Sequence, residues 1–100
     1  MSSIWIADDD RSIRWVLGKA LEREGVEYRL FEDASLVLAA LNEERPSVLV
    51  TDIRMPGMTG TDLLRRVKEK YPELPVIIMT AFGDLESAVT AFEGGAYEYL

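Results

Sequence analysis

The run Val48-Leu49-Val50-Thr51 constrains this chain most, because it is apolar on both faces and closes on a single acid, Asp52. A strand with no polar face must be covered from both sides, which reads as the centre of a parallel sheet clad by helices. The flanking sequence supplies the other parts. Ile4-Trp5-Ile6-Ala7 is a second short apolar run, followed by Asp8-Asp9-Asp10 and then by Ile13, Leu17, Ala20 and Leu21 at helical spacing as far as Gly25. Residues 27–31 offer a weaker strand, and residues 36–41 are rich enough in Ala and Leu for a helix, closed by Arg45-Pro46. Met55-Pro56-Gly57 and Gly60 predict a loop. Leu63, Leu64 and Val67 mark a third helix stopping near Tyr71-Pro72, and residues 75–80 are the most strand-like segment of all. Asp84 can cap a fourth helix through Leu85, Ala88, Val89 and Phe92 that ends at Gly94-Gly95, which leaves residues 96–100 a partial fifth strand. Strands alternating with helices argue for βαβ units, with ligands bound at the carboxyl ends of the strands.

Composition narrows the function. The 100 residues suffice for one domain, since domains cluster at about 100–150 residues. With 48% hydrophobic and 29% charged residues the chain has the makings of a packed core under a solvated skin. A net charge of -7 disfavours binding to nucleic-acid phosphates and favours cations or basic partner surfaces. The absence of Cys and His removes disulfides, thiolate and imidazole nucleophiles and the usual zinc and copper ligands, so any metal must sit on oxygen. Apolar runs fall short of the ~18 residues of a membrane span, and the start lacks a signal-peptide pattern. A soluble, cytoplasmic protein with no membrane contact is expected.

The placement of the acids carries the chemistry. Asp8, Asp9 and Asp10 follow the first strand and Asp52 ends the third; if those strands are neighbours, their carboxyl ends lie about 4.8 Å apart and the carboxylates converge. Acids that close repel one another unless a cation intervenes. With only carboxylate, carbonyl and water oxygens on offer, Mg²⁺ is the natural occupant. Such an ion beside a carboxylate is the equipment for an aspartyl phosphate, and Thr80, at the end of the fourth strand, can donate its hydroxyl to a phosphoryl oxygen. The plainer reading of Asp8-Asp9-Asp10 is helix capping, but a cap uses only one acid. Trp5 and Trp15 read as a buried ring and a surface ring.

On these residues the sequence resembles the receiver domain of two-component response regulators over residues 4–100, through Asp8-Asp9-Asp10, residues 51–60 (TDIRMPGMTG) and residues 76–81 (VIIMTA). Residues 12–17 (SIRWVL) and 96–100 (AYEYL) look most like the NtrC class, the receivers of sigma-54-dependent activators. The resemblance implies a flavodoxin-like (CheY-like) doubly wound parallel sheet of order 2-1-3-4, with the partial fifth strand beyond. It implies that Asp52 accepts a phosphoryl group from a histidine of a sensor kinase, that Asp9 ligates Mg²⁺ directly with Asp8 in the outer shell, and that the Arg54 backbone carbonyl is a further ligand. Thr80 and Tyr99 correspond to the family's switch pair. The chain would then be no enzyme beyond self-catalysed phosphotransfer and autodephosphorylation, and its output would pass to ATPase and DNA-binding domains of a parent protein.

One departure stands out: the family's Lys at the end of the fifth strand and the fifth helix are not among residues 1–100. Right-handed crossovers then leave the first helix alone on its face, with the second, third and fourth opposite. A helix covers about two strands, so the first helix's face is expected to be half bare. The reading is of a C-terminally truncated receiver, with a homodimer or domain swap as consequence. Two other functions fit less well. An Asp-nucleophile phosphohydrolase wants a second Asp two residues on, where Arg54 stands, and a phospho-independent interaction module would keep the fold without the signalling.

Overall fold

Among the described residues, the short apolar runs form strands and the amphipathic stretches form helices. The computed structural model describes residues 3–79 and the backbone of 98–99. The order is β1 (Ser3–Ala7), α1 (Arg11–Arg23), β2 (Glu27–Phe31), α2 (Ala34–Leu41), β3 (Val48–Asp52), α3 (Gly60–Lys70), β4 (Val76–Met79) and β5 (Glu98–Tyr99). Thr80, the expected fourth helix with Asp84, the side chain of Tyr99 and Leu100 lie outside the described residues.

The strands pair in parallel in the order β2-β1-β3-β4-β5, so β1 and β3 are neighbours as expected and β5 is the short edge. Ala7 sits opposite Thr51 and Phe31, which brings the residues after β1 to the end of β3. The amide of Asp8 extends the ladder to the Phe31 carbonyl (3.0 Å), and that of Ile53 to the Met79 carbonyl (3.2 Å).

Local signals set the helix ends. Asp10 caps α1 by accepting from the amides of Ser12 and Ile13, and the helix stops at Gly25, whose φ of 68° suits glycine. Asp33 caps α2 through the Leu36 amide. That helix ends before the expected Arg45-Pro46, because the amides of Asn42, Glu43 and Glu44 turn back onto the carbonyls of Ala39 and Ala40. Thr59 caps α3 through the Asp62 amide.

The two sheet faces are packed unequally. Trp5, Ala7, Phe31, Leu49, Val76 and Ile78 form one closed core with Val37 and Leu41 of α2 and Leu63, Leu64 and Val67 of α3. Trp5 is fully buried, and among the described residues its indole Nε1 finds no hydrogen-bond partner. Arg29, ion-paired to Glu44, lies 5.2 Å from the Trp5 ring centroid and closes that edge. Among the described helices, α1 is the one that lies on the opposite face. It approaches so closely at Gly18 that an added Cβ would meet the Tyr28 and Leu30 side chains at 3.2 and 3.3 Å. On this face Ile6 is buried, while Ile4, Val48, Val50, Ile77 and Met79 are half-buried. Trp15, on the outer side of α1, is 62% exposed.

Candidate functional site

Where β1 and β3 end side by side, Asp8, Asp9 and Asp52 each present a carboxylate oxygen, all within 4.8 Å of one another. They line a cavity of about 480 Å³ with Asp10, Ile13, Arg54 and Met79. The acidic triplet divides its labour. Asp10 turns away to cap α1, which satisfies the capping reading with one acid and leaves Asp8 and Asp9 for the cluster.

Asp8 is nearly sealed in and is held from three sides. Its amide donates to Phe31, its carboxylate accepts from the Asp10 amide at 2.9 Å, and its carbonyl accepts from Arg14 Nη1 at 2.7 Å. Burial pushes its carboxyl above the ordinary value, and the charges of Asp52, Asp9 and Asp10 push the same way against the Asp10 hydrogen bond. The Asp52 carboxyl is raised too, again chiefly by burial and with Asp9 adding to it, although amide hydrogen bonds from Arg54 and Ile53 and the Arg54 charge oppose this. Asp9 is the exposed member, open to an incoming ion.

The loop after Asp52 is folded hard against it. Gly57 takes φ 80° in that loop. Gly60, expected as a loop residue, instead opens α3 and sends its amide to the Ile53 carbonyl at 2.8 Å. A Cβ on Gly60 would stand 2.0 Å from the Asp52 carbonyl oxygen, a distance no side chain can occupy. The sequence marks Gly60 as a break but gives no sign that it is the floor under the site. Arg14 carries no sequence signal of its role for a similar reason, since its partner is a backbone atom. Thr80 and the Tyr99 side chain lie outside the described residues.

Three carboxylates converging at the strand ends, one buried, one half-buried and one exposed, make an all-oxygen donor set that suits a hard divalent ion. The family model of the response regulator receiver domain matches residues 4–100. The chain belongs to the response regulator receiver domain family. The receiver domain is 58% identical over 98 residues to the DNA-binding transcriptional regulator NtrC of Proteus hauseri, covering 98% of this chain and 21% of that protein. It thus spans about a fifth of the length of the curated relatives it matches. Among solved structures, the receiver domain of NtrX from Brucella abortus superposes with a TM-score of 0.90 at 37% identity, over 97% of this chain and 82% of that one. The response regulator TrrA of Thermotoga maritima, solved in complex with Mg²⁺ and BeF, gives a TM-score of 0.90 at 27% identity, over 100% of this chain and 85% of that one. The receiver domain is therefore homologous to those of the NtrC and NtrX response regulators of two-component systems, and its α/β fold is the CheY-like one. Among the described residues, no helix is long and apolar enough to cross a membrane.

Proposed function

We propose that Asp52 is the phosphoacceptor and that the site works with Mg²⁺. The supporting observation is the convergence of Asp8, Asp9 and Asp52 within 4.8 Å at the carboxyl ends of neighbouring strands. The donor set is all oxygen, as a hard cation requires, and the buried acids have raised affinities for protons that a dication would replace. Asp9 and Asp52 would hold the ion directly, with the Arg54 backbone carbonyl, and Asp8 from the outer shell. Bound there, Mg²⁺ supplies neutralisation of phosphoryl charge.

The chain's own residues do the rest. An Asp52 carboxylate oxygen attacks the phosphorus of a phosphohistidine on a sensor kinase; the new O–P bond forms as the N–P bond breaks, and the imidazole leaves with the electron pair. The amide of Arg54 orients the attacking carboxylate. Water later hydrolyses the acyl phosphate at the same atom, so the domain turns itself over without serving as an enzyme for another substrate. Thr80 and Tyr99 act as the switch pair on the family pattern: the hydroxyl moves to the phosphoryl group and the ring reorients, shifting a two-state surface. Likeness to NtrC supports an output through ATPase and DNA-binding domains of a sigma-54-dependent, cytoplasmic parent regulator of which residues 1–100 are the receiver part.

Incubation with acetyl phosphate and Mg²⁺, read by intact mass, tests this reading. One labile phosphoryl adduct is expected, absent in Asp52→Asn and absent when Mg²⁺ is chelated. Steady turnover of acetyl phosphate without an adduct would make the site a hydrolase, and neither adduct nor turnover would make the chain an interaction module.

A further inference from the structure

The turn that carries the acids is held by a residue from outside it. Asp10 caps α1, and one turn into that helix Arg14 reaches back and donates from Nη1 to the Asp8 carbonyl at 2.7 Å, a partly buried contact. The Arg14 amide meanwhile donates to the Asp10 carbonyl at 3.1 Å, so cap, helix and turn close into one ring of contacts. The carbonyl oxygen of Asp8 lies in the same rigid peptide plane as the amide of Asp9. Fixing that oxygen therefore fixes the direction in which the chain enters Asp9. A guanidinium stays protonated across the physiological range and its bond to a carbonyl is charge-assisted, so the hold is strong and does not fade with pH.

We infer that Arg14 is a positioning residue for the cation site, clamping the Asp8–Asp9 peptide so that the exposed Asp9 carboxylate stays within reach of Asp8 and Asp52. The inference rests on the cation reading made above. Groups that hydrogen-bond a metal ligand change metal affinity by about 10–100-fold when removed, and Arg14, which acts on Asp9 through one peptide plane, belongs at the lower end of that range. A staple that merely ties α1 to β1 would instead act through the stability of the fold.

Calorimetric titration of the chain with Mg²⁺ alone, set beside thermal melting of the metal-free protein, separates the two. Arg14→Met is expected to weaken Mg²⁺ binding about tenfold while the metal-free melting temperature stays close to that of the unaltered chain. Arg14→Lys is expected to recover most of the affinity, since an ammonium can donate to the same carbonyl. Equal affinity in Arg14→Met and the unaltered chain overturns the inference. So does a loss of affinity that tracks a loss of metal-free stability in both variants. If the unaltered chain itself takes up no Mg²⁺, the cation reading falls and this inference with it, a result distinct from the other two.

Discussion

The two faces of the sheet are built to different standards. Beneath α2 and α3, Trp5, Leu49, Leu63, Val67, Val76 and Ile78 are sealed and mutually packed. Beneath α1, Val48, Val50, Ile77 and Met79 keep part of their surface open. Asp52 pairs in register with Met79 on that open face, and Ile13 of α1 lines the same cavity. The closed face holds the packed core, and the carboxylate cluster lies at the end of the more open one. The strands that carry Asp8 and Asp52 are backed on their other face by that packed core.

Core truncation probes the contrast most strongly. Leu49→Ala, on the closed face, is expected to cost about 2–5 kcal/mol in denaturant unfolding, whereas its chain neighbour Val50→Ala, on the open face, costs about 1 kcal/mol. Equal losses would abolish the distinction between the faces. Gly60→Ala adds only a methyl group, but it drives that group into the Asp52 carbonyl. A loss of about 3 kcal/mol is expected, the upper end for overpacking, together with weaker Mg²⁺ binding; a variant as stable as the parent would show that the loop after β3 yields freely.

The smallest effect runs the other way. Without Mg²⁺ at neutral pH, Asp8→Asn removes a buried charge facing Asp52 and Asp9 while keeping the acceptor for the Asp10 amide. It is expected to stabilise the fold by about 1 kcal/mol, or about 4–8 °C in melting temperature. The folded-state affinity of Asp8 for its proton is raised, so the folded chain binds protons more readily than the unfolded one and the aspartate gains stability as pH falls through that raised value. The advantage of Asp8→Asn over the parent therefore shrinks with acidification, and paired melts across pH measure it. An advantage that grows instead would mean that Asp8 is held ionised.

Much of this arrangement was legible in the residues because it is written in local periods. Val48–Thr51 announced a strand buried on both sides, the Asp triplet and Asp52 announced where ligands gather, and Gly25 announced a stop. What the sequence hid are contacts between side chains and distant backbone. No period reveals that Gly60 must be bare because α3 begins against the Asp52 carbonyl, or that Arg14 reaches back to Asp8. The Ala- and Leu-rich run ends at Leu41, where α2 ends, but its closure does not come from Arg45-Pro46. Asn42 and the glutamates after it bend the chain by hydrogen bonding before Pro46 can.

The burial of Trp5 and the exposure of Trp15 give the molecule two intrinsic lamps of different colour. The indole in the core, shielded from water, emits toward the blue and reports whether the closed face is intact. The one on α1 emits toward the red and answers to acrylamide. A ligand or partner that settles on α1 therefore dims or shifts one emission while leaving the other alone, so docking and unfolding can be told apart in a single cuvette without attaching a dye.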